Sequence, residues 1–207
     1  SGPIAASRRA MMGPESIPSS SLITLTPVVA HEYFSGPPTL AVPAGVRRVD
    51  VQSAADMHAA VMAEIEAADV FIGAAAVADY RPADIATDKI KKHDGDAEIR
   101  LVRTRDIIAD VARDYPRVFT LGFAAETTDM ETAARNKRAR KGLAMIAGNV
   151  VGPNDAFGRD DNALFVVDAA GAQYYARDTK AALAERLVAR IAKRLAERLT
   201  DKAGQRA

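Results

Sequence analysis

Residues 69–77 read DVFIGAAAV, an apolar run with no charge after its first residue. Such a segment suits a strand buried on both faces, which only a sheet covered by helices on both sides can accommodate. The preceding segment, residues 54–68, brings Met57, Val61, Met62 and Ile65 to one helical face, and Ser53 stands where an N-cap belongs. Together they set a rhythm of amphipathic helix and then buried strand. Residues 46–51, 98–102, 118–123 and 143–147 are further β-type runs. Thr104 can cap a helix reaching Arg113, and Pro116 stops it. Thr128-Asp129-Met130-Glu131 has the spacing of a capping box, so a helix is expected over residues 129–141, ending at Gly142. Residues 163–168 and 173–176 flank Ala169-Ala170-Gly171 as a hairpin. Asp178 or Thr179 then caps a long helix whose stripe is Leu183, Leu187, Ile191, Leu195 and Leu199. Strand and helix alternate at least three times. The expected class is therefore α/β, a doubly wound, mostly parallel sheet with an antiparallel hairpin at one edge.

Residues 1–34 lack this rhythm. They are rich in Ser, Pro and Gly without helical or alternating periodicity, and are expected to be an irregular N-terminal segment before a domain at 35–207. Within them LITLTPVV, residues 22–29, is the one candidate strand, with Pro27 confining it to an edge or ending it.

Composition removes several function classes. The 207 residues balance to a net charge of +1 with 5% aromatics, which gives no electrostatic or stacking basis for nucleic acid as partner. The absence of cysteine excludes disulfides, thiolate nucleophiles and Cys-ligated zinc, and fits a reducing, cytoplasmic location. His31, His58 and His93 are scattered, with no HExxH pair, so no protein-built metal site is expected. No apolar run approaches the ~20 residues of a membrane span, and the N-terminus has no signal-peptide layout. Neither GxGxxG nor GxxxxGK[ST] occurs, which counts against dinucleotide oxidoreductases and ordinary P-loop ATPases.

In open α/β sheets ligands bind beyond the carboxyl ends of the strands. That rule directs attention to the segments after Gly73, Val102, Phe123 and Ala147. GAAAVADYRP, residues 73–82, offers small residues that admit a ligand close to the backbone, and Asp79 as an acceptor; equally, the alanines serve packing and Asp79 opens a turn. Lys89-Ile90-Lys91-Lys92 suits a triphosphate, or is a solvated basic loop. Lys137 and Lys141, spaced i, i+4 among Arg135, Arg138 and Arg140, form an anion-binding face or the wet side of a helix. The helix start at 104–108 presents free N–H groups, and Phe123 a flat apolar surface. Individually each is weak. Their convergence on one sheet edge points to an anion or nucleotide site.

The wording of these segments carries a resemblance. IGAAAVADYRP, DKIKK, LGFAAET, a helix bearing KRARK, and NDAFGRDDNAL occur in that order between about Ser35 and Arg194. The chain thereby resembles the bacterial phosphopantothenoylcysteine synthetases, the CTP-dependent phosphopantothenate–cysteine ligases of coenzyme A biosynthesis. The resemblance implies a Rossmann-like fold, a homodimer, Mg2+, and the substrates 4′-phosphopantothenate, L-cysteine and CTP. It also implies an association with a phosphopantothenoylcysteine decarboxylase domain in fused relatives. By the same resemblance the CTP contacts fall on Gly73, Ala74, Ala75, Asp79, Lys89, Arg105, Asp106, Ile107, Ile108, Phe123, Lys137 and Lys141, with Lys89 as the catalytic candidate. Arg105 stands where the family commonly has Pro, so a contact there is expected through the backbone. The family's Asn-containing segment and SSGKMG-like loop have no match in residues 1–34. A catalytically impaired nucleotide-binding module is therefore the alternative function.

Overall fold

The computed structural model describes residues 9–13, 31–35, 45–84, 98–126, 130–150 and 161–204. Strands β1 (Arg9–Gly13), β2 (His31–Ser35) and β3 (Val46–Asp50) precede helix α1 (Ala54–Glu64), which passes through a 3-10 turn into β4 (Ala68–Gly73). Two short strands, β5 (Tyr80–Pro82) and β6 (Leu101–Arg103), lead to α2 (Ile107–Asp114). Then come β7 (Phe119–Glu126), α3 (Met130–Lys141) and β8 (Met145–Val150). The hairpin β9 (Asp161–Asp168) and β10 (Gly171–Thr179) runs into α4 (Lys180–Gly204).

The main sheet has the order β10-β9-β8-β7-β4-β1-β2-β3. From β3 to β8 every pairing is parallel, while β9 runs antiparallel to β8, and β10 to β9. This is the doubly wound, mostly parallel α/β sheet with an edge hairpin that the hydrophobic runs imply. Chain progression reverses between β1 and β4, since β2 lies on one side of β1 and β4 on the other. That reversal is the topological switch point, where such sheets open a crevice.

Alternate residues of the central strands serve opposite faces, which is why their runs are continuously apolar. On one face Phe71 packs with Met57 and Val61 of α1 and with Ile107 and Val111 of α2. Further along it, Ala124 and Ile146 meet Ala134 of α3. On the other face Ile72, Leu121, Met145, Ala147, Leu164 and Val166 pack against Leu183, Leu187 and Ile191 of α4. Helix ends follow their local chemistry. Ser53 and Asp56 form a reciprocal capping box on α1, with Oγ accepting from the Asp56 N–H at 3.1 Å. The Thr179 hydroxyl accepts from Ala182 N–H at 3.2 Å to start α4. Gly142, at φ 66°, ends α3 as expected.

Four sequence expectations are corrected. Residues 1–34 are not irregular throughout: Arg9–Gly13 lies at the heart of the sheet between β4 and β2, and β2 begins at His31. RAMMG is too short for a periodic signal, and its two parallel neighbours hold it extended. The run at 69–77 is a strand only to Gly73. The loop expected from Asp79 contains β5, which pairs with β6 in a separate two-stranded ribbon rather than in the main sheet. Asp106, not Thr104, caps α2, its Oδ1 accepting from Ala109 N–H at 3.2 Å. The candidate strand 22–29 and the capping box at 128–131 lie wholly or largely outside the described residues.

One polar cluster locks α4 to the hairpin. Asp168 is 3% exposed and accepts from Arg190 Nε at 2.7 Å, from Arg194 Nε at 3.1 Å and from Ala170 N–H at 2.8 Å. Burial alone would raise its pKa, but the Arg190 and Ala170 hydrogen bonds and the two guanidinium charges outweigh it and hold the carboxyl below its ordinary 3.8. A depressed folded-state pKa contributes stability that is complete above the unfolded value and lost as pH falls through the folded one. Asp168→Ala leaves Arg190 without a carboxylate and Arg194 with Glu197 alone, and is expected to cost about 3–5 kcal/mol in urea unfolding at neutral pH. Asp168→Asn is expected to flatten the loss of stability between neutral and acid pH; an unchanged acid limb would contradict this role.

Candidate functional site

Three adjacent strands carry glycine in register: Gly13 and Gly73 end β1 and β4 and pair with each other, and Gly73 pairs with Gly122, midway along β7. Without side chains there, α2 can settle directly on the sheet. Ile108 does so. A Cβ at Gly73 would stand 3.1 Å from its Cδ1, and a Cβ at Gly122 would stand 3.2 Å from the same atom and 2.8 Å from Leu143 Cδ1. The start of α2 is thereby brought to the strand ends beside the switch point. A cavity of about 310 Å3 opens there. Its apolar lining includes Met57, Val61, Phe71 and Leu143, and its rim is built from residues 75–79, 104–108 and 122–124.

The termination of α3 places the cations. The Leu143 N–H donates to Arg138 O at 3.0 Å and the Gly142 N–H to Ala139 O at 3.2 Å, a Schellman motif that turns the chain sharply and buries Leu143. Arg138 Nε donates to Ala144 O at 3.1 Å, and Ala144 N–H to the Thr120 hydroxyl at 3.2 Å, which fixes this corner to β7. Lys137 and Lys141, one turn apart, both line the cavity. The Lys141 ammonium lies 2.7 Å from Asp106 Oδ2. Asp106 thus caps α2 with one oxygen and holds a lysine with the other.

Beneath this rim, Asp110 of α2 is buried and gathers three cationic or hydrogen-bonding partners. Its Oδ2 faces His58 Nε2 at 2.9 Å and accepts from Arg105 Nε at 3.0 Å, while Oδ1 lies 2.8 Å from Arg113 Nη1. Burial pushes its pKa up, yet the His58 and Arg113 hydrogen bonds and the Arg105 charge more than offset this and keep the carboxyl lowered. The Thr104 hydroxyl, on a residue of the cavity wall, is the buried side-chain polar atom without a partner among the described residues.

Of the residues singled out in the sequence, the cavity brings together Gly73, Ala75, Asp79, Arg105, Asp106, Ile107, Ile108, Phe123, Lys137 and Lys141. Ala74 does not line the cavity, although Gly73 and Ala75 on either side of it do. Lys89, Lys91 and Lys92 lie outside the described residues. Sequence reasoning missed the apolar floor, Met57, Val61, Phe71, Leu143 and Ile146, and it missed the glycine at 122. The floor residues read as ordinary core, which they also are. The LGF step within a strand, a glycine amid apolar residues, was the available signal for a close approach. No three His, Asp or Glu side chains gather into a metal cage among the described residues.

The model of the family described as DNA/pantothenate metabolism flavoprotein C-terminal domain matches residues 31–195. The chain belongs to this family. Among curated relatives it is 47% identical over 158 residues to the "Coenzyme A biosynthesis bifunctional protein CoaBC" of Vibrio cholerae, an alignment covering 74% of this chain and 40% of that protein. With the Escherichia coli K12 protein of the same name it shares 48% over 136 residues, covering 63% of this chain and 33% of the relative. The chain thus spans about 40% of the length of the first of these relatives. A solved structure described as the C-terminal domain of coenzyme A biosynthesis bifunctional protein CoaBC superposes with TM-score 0.73 and 27% identity, covering 92% of this chain and 98% of that one. A DNA/pantothenate metabolism flavoprotein from Streptococcus pneumoniae shares the fold, at TM-score 0.71 and 17% identity over 90% of this chain and 99% of its own. The family's Rossmann-like α/β architecture is the one found here.

Gly122 lies both on the cavity wall and beneath the contact of α2 with the sheet. Its would-be clashes are with the tips of Ile108 and Leu143, which give way to a single methyl but not to a branched side chain. Gly122→Ala is expected to be tolerated. Gly122→Val is expected to cost about 1–3 kcal/mol by overpacking and to lower the melting temperature measurably. An unaltered melt for the valine variant would show that α2 does not depend on this contact.

Proposed function

We propose that this chain is a CTP-dependent phosphopantothenate–cysteine ligase domain acting in coenzyme A biosynthesis. The observation that carries the reading is the convergence of Lys137, Lys141 and the start of α2 on one cavity at the carboxyl ends of β4 and β7, in a chain whose relatives are named for coenzyme A biosynthesis. The carboxylate of 4′-phosphopantothenate attacks the α-phosphorus of CTP. The α–β phosphoanhydride bond breaks, pyrophosphate leaves, and an acyl-cytidylate forms. The amino group of L-cysteine, having lost a proton, attacks the acyl carbon; the amide forms and CMP departs. The activated acyl group sits on substrate, so the protein needs no nucleophile of its own.

The chain's task is to bind, orient and neutralise. Lys137 and Lys141 offset the phosphate charge that grows on pyrophosphate as it leaves. Gly73 and its small neighbours Ala74 and Ala75 allow close approach to the backbone, and Asp79 accepts a hydrogen bond from the ribose or base. The free N–H groups at residues 105–108 and the face of Phe123 frame the cytosine. Lys89 is assigned the catalytic role. Mg2+ supplies charge neutralisation on the triphosphate when bound; with no three-residue cage among the described residues, no protein ligands are assigned to it.

Homodimerisation belongs to the same proposal. Tyr80, Ile99 and Leu101 are large, exposed apolar residues on and beside the β5–β6 ribbon, the kind of surface a partner subunit covers. A decarboxylase domain as covalent neighbour is supported by the bifunctional names of relatives longer than this chain. No described helix is long and apolar enough to cross a membrane, and the cysteine-free composition supports the cytoplasm as the place of action.

The test is pyrophosphate release and mass spectrometry of the product with CTP, 4′-phosphopantothenate and L-cysteine. Lys89→Gln is expected to abolish amide formation with an unchanged melting temperature. Lys137→Gln is expected to weaken CTP at least about tenfold, as loss of a charge-assisted contact does. CTP binding without any acyl-cytidylate would instead establish the impaired nucleotide-binding module.

A further inference from the structure

Arg105 occupies the cavity rim in a setting that a backbone-only contact leaves unexplained. It lines the cavity between Thr104 and Asp106, and its side chain is 67% exposed. The guanidinium is nevertheless not loose. Nε and Nη2 both lie 3.0 Å from Asp110 Oδ2, so one edge of the fork is docked. Asp110 is itself anchored, 10% exposed in its side chain and tied to His58 and Arg113 through both oxygens. Docking through the Nε–Nη2 edge directs Nη1, with its two N–H donors, away from the carboxylate. A planar cation held in this way has already lost much of the rotamer freedom that binding would otherwise remove.

We propose that Arg105, positioned by Asp110, is a further phosphate-binding residue of this cavity, its Nη1 donating to an oxygen of the nucleotide triphosphate alongside Lys137 and Lys141. The inference rests on the reading of this cavity as the CTP site. Arg105 then contributes through its side chain. Asp110 touches no ligand and acts as a positioning residue, fixing the guanidinium plane. Arg113 shares the same carboxylate and also pairs with Asp114 at 2.7 Å, but it does not line the cavity and has no part in binding there.

A double-mutant cycle tests this. CTP affinity is measured by calorimetry for the unaltered protein, Arg105→Gln, Asp110→Asn and the combination. Arg105→Gln is expected to weaken CTP about tenfold, as for a hydrogen bond to a charged group, with the loss shrinking at high salt. Asp110→Asn is expected to weaken CTP when Arg105 is present and to add nothing when Arg105 is already Gln. A purely structural role would produce the same loss in both backgrounds and would overturn the assignment. Arg105→Lys keeps the charge but cannot dock on Asp110 and reach a phosphate at once; it is expected to bind nearly as weakly as Gln, and this arm decides the matter if Asp110→Asn fails to fold. Full CTP affinity in Arg105→Gln overturns the proposal. Should the unaltered protein not bind CTP, the ligase reading falls, and the same proteins titrated with inorganic tripolyphosphate decide on Arg105 separately; equal affinities there overturn it.

Discussion

The approach of α2 to the sheet over Gly73 and Gly122 sets the position of nearly everything at the site. Only an exposed stretch of backbone lets Ile108 rest on two neighbouring strands at once. Had either position carried a branched residue, α2 would ride higher, and its first turn would no longer reach the end of β4. Residues 104–108, the Asp106 cap and the Asp110 cluster all travel with that helix. The absence of two side chains thus accounts for where several others stand.

Asp106 connects this helix to its neighbour. A capping carboxylate ordinarily spends its charge on the helix N-terminus. Here one oxygen does so while the other meets Lys141, the last residue of α3 before the Schellman turn. The ends of two helices are thereby pinned together across the cavity mouth. The geometry also means that an anion recruiting Lys141 competes with an existing carboxylate, so its affinity reflects the difference between two contacts.

Most of the fold was legible, because burial on both faces leaves an unmistakable run of apolar residues. β4, β7, β8 and the α4 stripe were all found this way, as was the hairpin through its turn. Arg9–Gly13 escaped because a five-residue strand is specified by its partners rather than by its own sequence. The ribbon of β5 and β6 escaped for the opposite reason: its strands are three residues each and largely exposed, so no burial pattern marks them. At the site, charged and capping residues announced themselves through spacing. The docking of Arg105 on Asp110 did not, since that pair depends on the first turn of α2 beginning at Asp106 rather than Thr104.

The position of β1 bears on how the sheet comes together. Arg9–Gly13 is the sole hydrogen-bonded link, within the described sheet, between the β2–β3 pair and the five strands from β4 to β10 on its other side. Its second neighbour, β4, is separated from it by more than fifty intervening residues. Parallel pairing across such distances is slow, since chain entropy is lost before the contact rewards it. Whenever β1 is out of place, β2 and β4 each present an open edge that another chain can join, so the sheet's protection against misassembly rests on this one strand.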